Sequence, residues 1–202
     1  MKNNVLEHYN TVKEQAKQRL QTFEKVNKED EKELFEELTF CIFAANSSAD
    51  MAEKAVTLLK PVLHTGNEEE YLQKVKGKVR FHTVRSSYLA YNYSVLRETP
   101  LTTLIKMPNT RKKLVKNLKG IGMKESSHFL RNTGHKGYAI LDKHIRRTGK
   151  QIGIFEDTTY PKTIKKYKEK EQKMKTWCDK HNLSIDILDL ALWSYNTGSI
   201  KK

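Results

Sequence analysis

The chain of 202 residues contains only two cysteines, Cys41 and Cys178. Two thiols cannot form a disulfide framework, and they cannot supply the four ligands of a cysteine-bound zinc or iron–sulfur site. The sequence has no run of about 18 apolar residues, and its N-terminal segment lacks the hydrophobic core of a signal peptide. These absences predict a soluble, cytoplasmic protein without a membrane segment.

Glycine and proline are also scarce, with nine and four residues. Few β-branched runs alternate with a period of two, and the strand-like run at 138–141 is equally typical of a buried connector. Apolar residues instead recur at three and four positions, as at Val5, Tyr9 and Val12. We therefore expect an all-α fold of one domain over 1–202, with about ten helices in two lobes and a cleft between them.

Capping residues and helix breakers set the expected boundaries. Asp30 and Ser184 are typical N-cap residues. Pro161 predicts the first turn of a long basic helix, and Gly149 predicts the end of the helix that begins at Asp142. Tyr195 continues the apolar stripe of the last helix, which indicates a core position.

Positive charge is concentrated in the middle of the chain. The net charge is −4 over residues 1–75, +18 over residues 76–175 and zero over residues 176–202. A positive field restricted to one part of a chain is typical of a protein that binds a polyanion. A solvated lysine-rich surface is the alternative, and we favour it only for 165–175, where glutamates interleave. The charge pattern therefore indicates a nucleic-acid partner.

The most informative stretch is 109–133, where a helical pattern is broken once at Gly120 and Gly122. Two glycines one residue apart allow positive φ and the close approach of another backbone. The amides that begin the second helix would face outward beside Lys119 and would form a phosphate site. An ordinary corner between two helices is the alternative. The L-x-G-I-G spacing resembles the helix-hairpin-helix motif of nucleic-acid-binding proteins, which favours DNA binding.

Lys124 stands two positions after Gly122, and Asp142 lies 18 residues beyond Lys124. This pattern over 118–145 resembles the helix-hairpin-helix base-excision glycosylases, in which a catalytic aspartate follows the hairpin. The chain length, the segment CIFAANSSA and the final residues TGSIKK are similar to the short archaeal-type 8-oxoguanine DNA glycosylase/lyases. The resemblance implies a monomeric enzyme that excises 8-oxoguanine from double-stranded DNA, nicks the strand and needs no cofactor for catalysis.

The chemistry of these two side chains agrees with the resemblance. A lysine such as Lys124 becomes a nucleophile when burial and neighbouring cations lower its pKa, and it would then attack deoxyribose C1′. The Asp142 carboxylate would stabilise the positive charge that develops on the sugar. The alternatives are a phosphate-contacting lysine and a helix N-cap. Their joint spacing after the hairpin favours the catalytic interpretation.

Extrusion of a damaged base requires a residue that fills the vacated stack and a pocket that holds the base. Asn46 resembles the residue that enters the stack, with a helix cap as the alternative. His144 would donate to a target-strand phosphate, with an exposed histidine as the alternative. Arg80 is a further predicted DNA contact beside Phe81. Phe81 would stack on the extruded base, with core packing as the alternative.

The end of the chain completes the predicted base pocket. Trp193 lies about 100° from the apolar stripe of the last helix. The resemblance implies that Trp193 packs against the flipped base and that Lys202 forms hydrogen bonds with it, whereas a frayed tail is the alternative. A structural monovalent cation bound by the carbonyls of Leu118 and Ile121 is likewise implied by the resemblance alone.

Two other functions remain open at this point. One is a non-enzymatic helix-hairpin-helix module that only binds DNA. The other is a bifunctional glycosylase that acts on oxidised pyrimidines. All three functions share the hairpin and the basic middle segment, and the joint spacing of Lys124 and Asp142 favours the two enzymes over the module. Only the resemblance favours 8-oxoguanine over an oxidised pyrimidine.

Overall fold

The computed structural model describes residues 2–201, in which it contains eleven helices and no strand. In chain order the helices are α1 (Lys2–Glu24), α2 (Glu31–Ala44), α3 (Ala49–Leu59), α4 (Glu68–Val75), α5 (His82–Glu98), α6 (Leu101–Leu104), α7 (Thr110–Asn117), α8 (Met123–Asn132), α9 (Lys143–Gln151), α10 (Ile164–Lys180) and α11 (Ile185–Thr197). The predicted all-α class is confirmed, and the run at 138–141 is a connector without strand structure.

The helices form two compact units. One unit combines the residues up to Lys25 with those from Gly134 onward, and the other comprises 26–133. The first unit therefore contains α1 and α9 to α11, and the second contains α2 to α8. Within the range 2–201, none of the helices has the length and apolar character that crossing a bilayer requires.

α2 is the central helix of the unit formed by 26–133, because it is apolar on most of its faces. Leu34 and Phe43 are completely buried, and α2 packs against α3, α5, α6 and α8. Asp30 caps its N-terminus, as predicted, by accepting hydrogen bonds from two first-turn backbone N–H groups. The helix thus holds together the elements that carry the hairpin.

One more helix is present than the expected ten, and the additional one is the single turn α6. It begins directly after Pro100, a residue that cannot supply a side-chain cap. The carboxylate of Glu31 in α2 accepts hydrogen bonds from the N–H groups of Leu101 and Thr102, at 2.8 and 3.0 Å. The sequence near Pro100 gives no signal for this helix because its cap comes from a distant segment.

α11 is the central helix of the other unit and packs against α1, α9 and α10. Ser184 caps it, as predicted, by accepting from the N–H of Ile187 at 3.5 Å. The core position predicted for Tyr195 is wrong, because its side chain is 37% exposed. Its ring lies near the surface of the unit, edge-on to His8 with the ring centroids 5.4 Å apart.

Two predicted helix boundaries in this unit are also wrong. α10 begins after Thr163, whose hydroxyl accepts a first-turn N–H, so Pro161 lies in the preceding loop. α9 continues past Gly149. A Cβ at Gly149 would lie 2.5 Å from the ring of Phe155, so this glycine allows close packing within the helix and does not end it.

Candidate active site and nucleic-acid interface

The connection between α7 and α8 spans 118–122 and forms the predicted hairpin. Gly120 has a φ of +75°, and a Cβ there would lie 2.6 Å from the ring of Tyr88. Gly122 has a φ of −93° and is the N-cap residue of α8. The expectation of positive φ is therefore confirmed for Gly120 and wrong for Gly122. Backbone conformation and lack of space require a glycine only at Gly120.

Asn92 in α5 holds the hairpin loop in place. Its Oδ1 accepts a hydrogen bond from the N–H of Lys119 at 2.8 Å, and its Nδ2 donates to the carbonyl of Lys119 at 3.0 Å. Asn92 is completely buried, whereas the Lys119 ammonium group is exposed and lies 4.0 Å from the ring centroid of Tyr91. Helical periodicity cannot indicate this contact, because it joins a residue of α5 to one in a connection 27 residues away.

The first turn of α8 carries an ion pair. Lys124 Nζ lies 3.0 Å from Oε1 of Glu125, and the two side chains are 18% and 14% exposed. The other oxygen, Oε2, accepts a hydrogen bond from the backbone N–H of Gly122 at 3.2 Å. The charged group that contacts Lys124 is thus the Glu125 carboxylate. Neighbouring cations had been expected there, because they would favour the neutral amine. One amide of the predicted phosphate site already has a partner.

Asp142 is the N-cap residue of α9 and is partly buried. Its Oδ1 accepts a hydrogen bond from the N–H of Ile145 at 2.8 Å. Its Oδ2 has no hydrogen-bond partner among the residues that the structure describes. The capping interpretation is therefore confirmed. It leaves one carboxylate oxygen free for a second role.

Four buried side chains fix the connector that leads into Asp142. Three carboxylates and one hydroxyl from α10 and α11 accept hydrogen bonds from four backbone N–H groups within 137–141. The pairs are Gly137 with Asp186 at 2.9 Å, Ala139 with Glu171 at 3.0 Å, Ile140 with Asp189 at 2.8 Å and Leu141 with Tyr167 at 3.1 Å. These acceptors were not predicted, although two aspartates in the apolar helix α11 are an unusual feature that signals buried partners.

The predicted stack-entering and base-stacking residues lie on exposed turns. Asn46 directly follows the C-cap of α2, is exposed and has a φ of +52°, and Ser48 is the N-cap of α3. Asn46 thus ends α2 in the left-handed conformation that is common after helices. Phe81 is 52% exposed, so the core-packing alternative is wrong. The guanidinium carbon of Arg80 lies 5.1 Å from the Phe81 ring centroid.

The remaining predicted residues belong to the unit that contains Asp142. His144 lies in the first turn of α9, is partly exposed and has no hydrogen-bond partner among the described residues. Trp193 is partly exposed on α11. Lys202 lies outside the described residues. The hairpin and Lys124 belong to the other unit, together with Asn46 and Phe81.

Lys124 in the second helix of a helix-hairpin-helix and Asp142 at the start of the next helix follow the order expected of the helix-hairpin-helix DNA glycosylases. The family model described as 8-oxoguanine DNA glycosylase matches residues 16–183. The chain belongs to this family of helix-hairpin-helix 8-oxoguanine DNA glycosylases.

Relatives are similar along nearly the whole chain. The 8-oxoguanine DNA glycosylase/AP lyase of Saccharolobus solfataricus is 34% identical over 197 residues, which cover 95% of each chain. The crystal structure of the 8-oxoguanine DNA glycosylase of Thermotoga maritima has a TM-score of 0.89 at 32% identity and covers 100% of this chain and 98% of the other. The Methanocaldococcus jannaschii enzyme, in complex with a 15mer DNA containing 8-oxoguanine, has a TM-score of 0.85 at 31% identity and covers 100% and 99%.

Proposed function

We propose that the protein is a bifunctional 8-oxoguanine DNA glycosylase/AP lyase that acts on double-stranded DNA. The observation that carries the proposal is the 34% identity to an enzyme of that name over 95% of both chains. The position of Lys124 at the start of α8 supports the lyase activity, because this activity requires an amine nucleophile. A module that only binds DNA has no need of such a residue.

In the proposed first step, Lys124 Nζ gives up a proton to solvent and attacks C1′ of the damaged nucleotide. The bond between C1′ and the base nitrogen breaks, and the base leaves with the electron pair and takes up a proton. The carboxylate of Asp142, through its unpaired Oδ2, stabilises the positive charge on the sugar as the bond breaks. Opening of the sugar ring at O4′ then leaves a Schiff base between Nζ and C1′.

In the second step, the Schiff base acidifies the C2′ proton. Loss of this proton breaks the bond between C3′ and its phosphate oxygen, so the strand is nicked on the 3′ side of the lesion. Water then hydrolyses the imine and returns the Lys124 amine. The balance of the reaction requires only water, because nothing is oxidised or reduced.

Two exposed regions of the unit formed by 26–133 are suited to duplex binding. The Lys119 side chain offers positive charge and Gly120 offers exposed backbone at the hairpin. Asn46 and Phe81 project from turns and would enter the base stack at the site of the lesion. In the other unit, His144 is placed at a helix start where it would donate to a phosphate.

The hairpin offers two carbonyl oxygens as candidate ligands for the monovalent cation that the family resemblance implies. The carbonyl oxygens of Leu118 and Ile121 accept no hydrogen bond from the residues that the structure describes. Oxygen ligands suit hard cations, and such an ion would add positive charge beside a bound phosphate. Catalysis by Lys124 and Asp142 uses no cofactor in this proposal. We place the protein in the cytoplasm as a monomer that associates with DNA.

The proposal is tested with duplexes that differ only in one base. The protein is incubated with DNA carrying 8-oxoguanine, an oxidised pyrimidine or no lesion, in the presence of borohydride, which reduces a Schiff base to a stable adduct. We expect released 8-oxoguanine and a covalent adduct on the first duplex alone. Binding without an adduct on any duplex would favour the non-enzymatic module, and an adduct only on the second would favour the pyrimidine glycosylase.

A further inference from the structure

Arg85 in α5 joins two separate turns of the unit formed by 26–133. Its guanidinium group donates hydrogen bonds to the carbonyls of Phe43 at 3.0 Å, Arg80 at 3.1 Å and Ala45. The side chain is buried, with 5% of the residue exposed. One buried guanidinium group thus contacts both the end of α2 and the turn that precedes α5.

Two of these three contacts lie next to a residue in an unusual backbone conformation. Ala45 directly precedes Asn46, which has a φ of +52°, and Arg80 directly precedes Phe81, which has a φ of +55°. For a bulky residue such as Phe81 this region of φ is strained and persists only where the surroundings enforce it. Both residues are exposed, so contacts of the backbone beside them must fix their conformations.

The surroundings of Arg85 are unusual for a buried cation. Its guanidinium carbon lies 5.4 Å from the ring centroid of Phe43 and 5.1 Å from that of Phe81. Among the described residues no carboxylate lies within ion-pair distance of it, and burial, followed by the charge of Arg80, lowers the pKa of Arg85. A buried cation without a counter-charge is costly. Packing alone could be achieved by an apolar side chain without that cost.

We propose that Arg85 is a positioning residue that holds Asn46 and Phe81 as one rigid wedge for entry into the base stack. The inference rests on the proposed function, in which these two residues enter the duplex. Because both turns are already fixed before binding, no conformational entropy is lost in ordering them on the DNA. This lowers the free-energy cost of reaching the extruded state. Arg85 itself remains buried and acts through the two turns.

The test compares Arg85→Lys with Arg97→Lys, a matched control on the exposed surface of the same helix. Lysine keeps the charge but lacks the planar fork that spans several carbonyls. Single-turnover excision is measured on 8-oxoguanine in a fully paired duplex and in an unpaired bubble, where no stacked partner must be displaced. We expect Arg85→Lys to lose about ten- to a hundred-fold on the paired duplex and little on the bubble, with Arg97→Lys unchanged on both.

Equal losses on both substrates would mean that Arg85 only supports the fold, and no loss on either would likewise overturn the inference. Arg85→Gln, which donates without charge, must show the same dependence on substrate, and melting temperatures verify that each variant is folded. In a variant that already carries Asn46→Ala and Phe81→Ala, Arg85→Lys must cause little further loss. If Arg85→Lys causes the same loss in that background as in the wild type, Arg85 does not act through Asn46 and Phe81.

A readout without chemistry separates this inference from the proposed function. The fluorescence of 2-aminopurine placed beside the lesion rises when the neighbouring base leaves the stack. If the wild-type protein unstacks the duplex without excising a base, the proposed function fails while the wedge remains supported. If Arg85→Lys unstacks the duplex as well as the wild type, the inference fails even where excision is intact.

Discussion

Asn92 binds both the N–H and the carbonyl of Lys119, at 2.8 and 3.0 Å, and so fixes the hairpin loop to α5. Lys119 is the last residue before Gly120, where the chain turns with a φ of +75°. The contact therefore sets the position of the loop that is proposed to meet DNA. A buried side chain in one helix thus determines the geometry of an exposed loop between two others.

Replacing this side chain tests the role of the contact. Asn92→Leu has a similar volume but leaves both backbone groups of Lys119 without their partner, so we expect a loss of about 2 kcal/mol in the free energy of unfolding. Affinity for undamaged duplex should fall as well. Urea unfolding and fluorescence anisotropy measure the two effects, with the exposed Ser94→Ala in the same helix as the control. Unchanged DNA affinity would show that the loop position does not matter for binding.

The two hairpin glycines should respond differently to alanine. Gly120→Ala places a Cβ 2.6 Å from the Tyr88 ring at a positive φ, and we expect a destabilisation of about 1–2 kcal/mol with weaker binding to undamaged duplex. Gly122→Ala has an ordinary φ, and its Cβ would meet only the flexible carboxylate of Glu125, at 3.0 Å. Its stability should match that of the wild type in the same urea series. Equal losses for both variants would contradict the geometry.

The double role of Asp142 can be separated by a conservative change. Asp142→Asn keeps an oxygen that accepts from the N–H of Ile145, so the melting temperature should not change. It removes the charge that would oppose the sugar cation, and excision should slow by about 10²–10³-fold. Single-turnover kinetics measure the rate, and Asp142→Ala, which also loses the cap, should be less stable. A fully active Asn variant would make Asp142 a structural cap alone.

The family resemblance implies that Trp193 and Lys202 recognise the base, and this stays a prediction. Trp193→Ala and Lys202→Ala should each lower excision of 8-oxoguanine about ten-fold, since each removes a contact of about 1–3 kcal/mol with the base. Nicking of a preformed abasic site should persist because no base is present there. Measuring both reactions on matched duplexes tests this. Equal loss of the two activities would show that these residues do not contact the base.

Local features of the sequence were sufficient to predict much of the fold. The helical spacing of apolar residues and the caps Asp30 and Ser184 lie within single elements, so they can be recognised from neighbouring residues. Gly120 likewise marks the hairpin directly. The capping role of Glu125 is also a local signal, because this residue lies three positions after the N-cap residue Gly122.

Contacts between distant segments could not be predicted in this way. Asn92 holds a hairpin 27 residues away, Asp189 holds a connector 49 residues away, and Arg85 contacts a carbonyl 42 residues away. Each depends on how helices pack, and periodicity within one helix does not specify its partner. The core position that was the alternative for Phe81 is wrong for a related reason. Hydrophobicity alone does not show that this residue lies on an exposed turn with a positive φ.

The central claim is that Lys124 forms the covalent intermediate, and borohydride trapping of Lys124→Gln tests it most directly. The wild-type protein and the variant are incubated with 8-oxoguanine duplex and borohydride, and the adduct is resolved by electrophoresis. The variant should bind duplex nearly as well as the wild type, because it loses one positive charge among many. We predict an adduct for the wild type and none for Lys124→Gln. A trapped adduct with the variant would show that another amine is the nucleophile and would contradict the account.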